Sequence, residues 1–280
     1  MITQVVHASA VEIAQRRAGR IGAGVYAGRP TSLLLRNLYA LRTNNGLVFF
    51  SGFVEPVFYL LAFGFGLGDF IGTVSGPGNQ QVDYATYIAP ALLATSAMNG
   101  AIYDSTWNVF FKMRYAKFYQ AVMATSLGAL DTAAGEIGWA MIRGASYGFG
   151  FMCIVTPLGL VPSWWGLLAI PGAALIALGF ASAGMAITSY LDSHQQMNWV
   201  NFVMLPMFLF SGAFFPITNY PEIAQFVIQA LPLWQGIEII RGFMSGNLTL
   251  ALLGHVLYFV AFSVIGISIT TRRLNKLFLR

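Results

Sequence analysis

The chain has 280 residues, 57% of them apolar and only 9% charged, with a mean hydropathy of +0.67. A soluble domain carries about 25% charged residues, so the composition speaks against a water-soluble globular fold. The net charge of +5 lies mostly in short clusters beside apolar segments, which does not suit nucleic acid, and the single cysteine, Cys153, excludes an intrachain disulfide or a Cys-rich metal site.

Residues 1–46 read as a cytoplasmic N-terminal segment, whose first thirty residues lack the apolar core and small-residue cleavage context of a signal peptide. From Thr31 the chain runs TSLLLRNLYALRTNN. Leu34, Leu38 and Leu41 recur at helical spacing, Thr31 or Ser32 can cap, and Arg36 and Arg42 can face lipid headgroups. This predicts an interfacial helix; the plainer alternative is a charged lead-in to the first span.

A membrane helix needs about 20 largely apolar residues. Six stretches qualify, at about 47–66, 84–107, 136–155, 165–188, 197–215 and 250–270. Basic residues orient them. Arg16, Arg17, Arg20, Arg29, Arg36 and Arg42 precede span 1, whereas the loop after it has only Asp69 and Asp83. Lys112, Arg114 and Lys117 follow span 2, the 189–196 loop has no basic residue but histidine, and the tail carries Arg272, Arg273, Lys276 and Arg280. The positive-inside rule therefore predicts that both termini are cytoplasmic. The second cytoplasmic piece, 110–136, should hold a short apolar–aromatic helix from about Phe118 to Leu127, with Gly128 and Asp131 marking a break before span 3. As the longest inner connection, it can dock a soluble partner or simply lie at the interface.

The stretch LFSGAFFPITNYPEIAQFVIQALPLWQ, 209–235, falls on the outer side. Pro216 should end span 5. Pro221 and Glu222 suit a helix start, and Ile223, Phe226, Val227, Ala230 and Leu231 share a face. Pro232 interrupts, and a second short helix follows to about Gly242. Two pieces too short to cross predict a re-entrant or outer-interface helical hairpin.

Catalytic signatures do not emerge. No G-x-x-x-x-G-K-[ST] is present, and His7, His194 and His255 have no metal-ligand spacing. Asn247-Leu248-Thr249 is a weak glycosylation match. Charges within spans default to functional candidates. Glu55, before Pro56, can line a pathway or pair with a basic group; Arg143 can snorkel or pair inward; Asp104 can sit at the interface; Glu136 can start a helix or dock a partner. Gly144-x-x-x-Gly148 permits close helix packing. From these residues alone, an ATP-driven permease subunit, a passive channel, a membrane enzyme and a scaffold all stay open.

Four stretches resemble the ABC-2 type transport permeases, particularly the branch with the nodulation lipooligosaccharide permease and the daunorubicin-type drug permeases. They are RNLYALRTNNGLVFFSGFVEPVFYLLAFGFGLG (36–68), YATYIAPALLATSAMNGA (84–101), ALDTAAGEIGWA (129–140) and LPMFLFSGAFFPITNYPEIAQFVIQALPLWQGIEIIRGFMSG (205–246). The features matched are Arg36-Asn37, Pro56, Gly135-Glu136, Ser211-Gly212, Phe215-Pro216, Leu231-Pro232-Leu233 and Arg241. The resemblance implies an all-α membrane domain over 47–280, working as a homodimer or with a close homologue. A separate cytoplasmic ABC ATPase, in two copies, would bind ATP and Mg; no cofactor is expected in this chain and no catalytic residue. Coupling to that ATPase would involve Lys117, Phe118, Tyr119, Asp131 and Glu136, together with Leu34, Arg36, Asn37, Leu38, Leu41 and Arg42 of the interfacial helix. Pathway or gate candidates are Glu55, Pro56, Phe215, Pro216, Pro221, Phe226, Pro232, Trp234 and Arg241. The implied cargo is amphiphilic, such as a glycolipid, a lipid-linked oligosaccharide or a drug-like molecule, moved outwards; a polysaccharide is the alternative.

Overall fold

The computed structural model describes residues 30–43, 52, 54–76, 78, 80–124 and 127–278. The expected span 1 residues 47–51 and 53, and the cations Arg16, Arg17, Arg20, Arg29 and Arg280, lie outside the described residues. So do the side chains of Leu41 and Arg42.

The chain is mostly helical. Helix α1 spans Pro30–Thr43; α2, Val54–Tyr59, continues through a π-helical turn, Leu60–Phe65; α3 is Gly68–Ile71. An antiparallel ribbon follows, β1 (Thr73–Ser75) against β2 (Gln81–Asp83), with Val74 opposite Val82. This ribbon corrects the all-α expectation in one small place. Helix α4, Tyr84–Tyr103, runs on through a π turn, Asp104–Asn108, into α5, Val109–Arg114. Then come α6 (Phe118–Met123), α7 (Ala129–Val155), α8 (Ala169–Thr188), α9 (Asn198–Phe210), α10 (Glu222–Ala230), α11 (Pro232–Ser245) and α12 (Leu250–Phe278).

The centre is a bundle of α4, α7 and α8, with α12 against α8 and α7, and α11 against α4, α8 and α12. Small residues let it close. A methyl group on Gly144 would meet the Ala97 carbonyl oxygen at 2.4 Å and the Ala177 Cβ at 2.7 Å, so this helix crossing requires glycine there. Around it Ala94, Ala97, Ala140, Ala173, Ala177 and Ala181 are fully or nearly fully buried.

Among the described residues three helical stretches are both long and apolar enough to cross a membrane: Val54–Ile71, Trp164–Thr188 and Leu250–Phe278. The pair α10–α11, bent by 83°, makes a fourth if it is one broken span. The remaining expected spans differ for physical reasons. Helices α4 and α7 are long, but polar residues, including Thr95 and Ser96 in α4 and Asp131, Glu136 and Arg143 in α7, dilute their apolar character, and these side chains are buried inside the bundle. Helix α9 has only 13 residues, or about 20 Å at 1.5 Å per residue.

Boundaries shift too. Span 3 was expected from Glu136, but α7 already starts at Ala129: Gly128 is its N-cap, and the Asp131 carboxylate accepts the Gly128 amide at 3.1 Å. The expected break at Asp131 is thus a cap. Helix α9 ends at Phe210 rather than at Pro216, because Gly212 adopts φ +72° and opens a turn, Ser211–Phe215. Helix α6 stops at Met123 instead of Leu127, and α11 continues past Gly242 to Ser245, where Gly246 (φ +76°) caps it. Helix α12 extends eight residues beyond Thr270 and carries the basic tail residues Arg272, Arg273 and Lys276.

Candidate functional site: two junctions at the ends of one helical rod

The rod from Tyr84 to Arg114 has a polar junction at each end. At the Arg114 end, α1, α5, α6 and the start of α7 converge. Leu33, 3% exposed, packs where Gly135 leaves room: a methyl group there would lie 2.9 Å from the Leu33 Cβ. The glycine of the Gly135-Glu136 pair therefore serves the close approach of α1. The guanidinium of Arg36 lies 4.0 Å over the Phe118 ring. Lys112 Nζ reaches Glu136 Oε2 at 2.7 Å, joining α5 to α7, with the carboxylate side chain 1% exposed.

Three buried polar atoms here make no hydrogen bond of good geometry among the described residues, Asn37 Nδ2, Tyr119 Oη and Glu136 Oε1, although the Tyr119 hydroxyl lies close enough to Glu136 for a weak one. Burial pushes the Tyr119 phenol well above its usual value, and the nearby Glu136 and Asp104 charges add to this, so Tyr119 stays a neutral donor. Lys117, between α5 and α6, holds a left-handed backbone at φ 48°, uncommon for a side-chain-bearing residue.

Of the predicted interfacial face, Leu34 is half-buried against Gly138, but Leu38 is 54% exposed. The face turned to the protein is Leu33 and Asn37, because the Gly135 notch sets the helix rotation. Tyr119, Asp131 and Glu136 are buried and Phe118 half-buried, while Lys117 and Arg36 are exposed. Glu136 thus sits inside the junction, paired with a lysine.

Two helical turns further into the bundle, Arg143 meets Asp104 at 3.4 Å and donates to the Tyr147 hydroxyl at 3.2 Å. Its guanidinium also lies 5.1 Å from the centre of the Tyr103 ring. Of the two readings open for Arg143, inward pairing is the one observed. Asp104, 2% exposed, is correspondingly buried.

At the Tyr84 end, the Gly212 carbonyl accepts both the Tyr87 hydroxyl and Arg241 Nη2, each at 3.2 Å. Arg241 also lies 4.4 Å over the Tyr87 ring and pairs with Glu238 at 2.6 Å. This explains why a Ser-Gly turn and an arginine thirty residues later belong to one signature: the arginine fastens the carbonyl that the left-handed glycine exposes. The Trp234 indole closes over Gly212 and stacks edge-on against His255, 5.4 Å away, whose ring nitrogen contacts Gln235. Pro232 occupies the first turn of α11, where its missing amide costs nothing.

An aromatic column leads from this junction to α2. Phe214 packs on Phe63 (5.2 Å) and Phe208 (5.1 Å), and Phe208 on Tyr59 (5.6 Å). Tyr59 and Phe63 line an open cleft of about 530 Å³ with Val54, Glu55, Phe58 and Ala62. Glu55 is exposed on this cleft, while Pro56 is buried. Of the other gate candidates, Phe215, Pro221 and Phe226 are exposed, and Pro216 is half-buried. Sequence reasoning assigned no site role to Tyr87 or Lys112, named Gly212 only as part of a signature, and did not join Asp104 to Arg143. A signal existed for Gly212, in the quoted Ser-Gly; Tyr87 had none.

Among the described residues no group of three His, Cys, Asp or Glu could hold a metal ion. Residues 31–245 match the ABC-2 type transporter family, more than half of the chain. The chain belongs to that family. It is a membrane transporter permease. It is similar to nodulation protein J of Rhizobium leguminosarum bv. trifolii, 33% identical over 228 residues that cover 81% of this chain and 85% of the relative. Nodulation protein J of Rhizobium meliloti (strain 1021) is 30% identical over 224 residues, 79% and 83% of the two chains. That of Sinorhizobium fredii is 33% identical over 189 residues, 67% and 70%. The ABC-2 match contains both junctions, from α1 to α11.

Proposed function

We propose that this ABC-2 permease is the transmembrane subunit of an ATP-driven exporter. It crosses the membrane six times with both termini cytoplasmic, and α10–α11 form an outer hairpin that gates release. Two copies of the chain enclose the route, and two copies of a cytoplasmic ABC ATPase bind ATP and Mg and drive it. The cargo is amphiphilic: a glycolipid, a lipid-linked oligosaccharide or a drug-like molecule, taken from the cytoplasm or inner leaflet. The aromatic column and the acid-rimmed cleft at Glu55 offer such a molecule apolar and polar contacts together.

The observation that carries this reading is the packing of α1, α6 and the start of α7 into one body around Leu33, Phe118, Tyr119 and Glu136. A push on α1 or α6 is thereby delivered to α7 and, through Lys112, to α4. The ATPase is then the partner whose two nucleotide states bind the two arrangements of this body with different affinity, as any ligand-driven shift requires.

The test is gentle copurification of the tagged chain from membranes, with ATP hydrolysis and bound lipid both assayed. A stoichiometric ATP-hydrolysing partner and a retained amphiphile are expected. Recovery of the chain alone under several mild detergents, with passive flux in vesicles, turns the reading to a channel; recovery with partners but without flux turns it to a scaffold.

A further inference from the structure

The 189–196 loop has no lysine or arginine of its own, yet cations and rings from other elements grip it along its length. Arg114, the last residue of α5, donates through Nε (3.1 Å) and Nη2 (2.8 Å) to the Leu191 carbonyl and pairs with Asp192. The His194 ring stands edge-on to Trp107 at 5.0 Å and lies 6.5 Å from Phe110, both on the same rod. From the other side Arg273 of α12 reaches the Ser189 carbonyl at 3.4 Å, with its guanidinium 4.5 Å over the Tyr190 ring. Within the loop, Gln196 Oε1 accepts the Asp192 amide at 2.8 Å. Deeper in, the rod is seated against α8: a methyl group on Gly184 would lie 2.2 Å from Ser105 Oγ.

The loop leads directly into α9. Among the described residues that helix packs on little: only Val200, Met207 and Phe208 are buried, and Trp199, Phe202, Val203 and Leu205 are each more than 60% exposed. Its position is therefore set largely at its two ends, by the gripped loop and by the Phe208–Phe214 contact below the Gly212 turn. The rod itself contains a π turn, Asp104–Asn108, directly ahead of the segment that carries Phe110, Lys112 and Arg114, and such turns are frequent at functional sites.

We infer that the 189–196 loop is a relay that transmits movement of the rod's Arg114 end to α9, with Arg114 and His194 as its positioning residues. The relay rests on the ATP-driven reading above and names a second route within it. Lys112 carries motion from α5 to α7, while Arg114, two residues on, carries it to α9. One short segment then drives both the helix bundle and the helix that ends at the outer junction. A single surface ion pair would be too weak for this. Here, however, a forked guanidinium on a backbone carbonyl and a ring contact act beside the Asp192 pair, and the loop is held against slack from the opposite side by Arg273.

The test uses the copurified complex in lipid nanodiscs with Cys153→Ser as background. A fluorescent label is placed on α9 (Leu205→Cys) or, separately, on α1 (Leu35→Cys), and the response to ATP with vanadate is read. In Arg114→Gln and in His194→Ala the α9 response should fall at least about fivefold, as expected when one shared contact is removed from a coupled network. The α1 response should stay as in the parent, which also certifies the fold. Arg114→Asp should abolish the α9 response, and adding Asp192→Arg should restore part of it, an outcome that loss of packing does not produce. An undiminished α9 response in both single variants, with α1 responding, overturns the relay alone. No response at either position in the parent overturns the ATP-driven reading and the relay with it.

Discussion

The two ends of the Tyr84–Arg114 rod are held by opposite means. At the Tyr84 end a backbone carbonyl, Gly212, is met by two donors, and the fastening residues Tyr87 and Arg241 also stack on each other. At the Arg114 end an ion pair and a cation over a ring hold four elements together, but Asn37 Nδ2, Tyr119 Oη and Glu136 Oε1 are buried without a hydrogen bond of good geometry. A buried donor or acceptor left unmet costs about 1–3 kcal/mol. The first junction leaves one such atom, Arg241 Nε, beside its two made bonds, whereas the second holds three, which another arrangement of the same elements can satisfy. Small shifts that bring the Tyr119 hydroxyl onto Glu136 Oε1 would supply such an arrangement. The end that has reason to move is the one proposed to meet the ATPase.

Substitutions can break this contrast. The largest loss is expected for Glu136→Ala, which leaves Lys112 without its partner: about 3 kcal/mol off the unfolding free energy in mixed micelles. Replacing both partners by Lys112→Met and Glu136→Leu should recover most of it. Arg241→Ala comes next, at about 2 kcal/mol, because the Gly212 carbonyl loses a charged donor. Gly212→Ala should cost about 1–2 kcal/mol through its left-handed backbone alone.

The sharpest comparison is the smallest in size. Tyr87→Phe removes a made hydrogen bond and should lower stability by about 1 kcal/mol, whereas Tyr119→Phe removes an unmet one and should raise it by a similar amount. If both tyrosine variants shift Tm in the same direction, the two ends are not held differently.

Much of the architecture was legible because membrane constraints write themselves into composition: runs of apolar residues, clusters of arginine and lysine beside them, and prolines where the outer stretch breaks. The bend between α10 and α11 falls at Pro232 for the reason the sequence suggests. Rotation and partnership were less legible. Leu34, Leu38 and Leu41 make an apolar stripe, yet α1 turns Leu33 and Asn37 to the protein, since the notch at Gly135 lies on another helix a hundred residues away. Arg143 carries no mark of whether it snorkels or pairs inward; only the crossing at Gly144, which brings α4 within reach, puts Asp104 beside it. Likewise Pro216 looked like the end of α9, but the left-handed Gly212 acts four residues earlier. The 189–196 loop read as empty of charge because its cations belong to α5 and α12.

The most direct test of the central claim, that the Arg114 end and not the Tyr84 end meets an ATPase, is photocrosslinking in the living cell. A benzophenone amino acid replaces Tyr39, 64% exposed on α1, or Phe226, 78% exposed on α10. The account predicts that Tyr39→benzoyl-Phe captures an ABC ATPase on irradiation and that Phe226→benzoyl-Phe does not. Capture of the ATPase at position 226, or at neither position in cells where the complex copurifies, would contradict it.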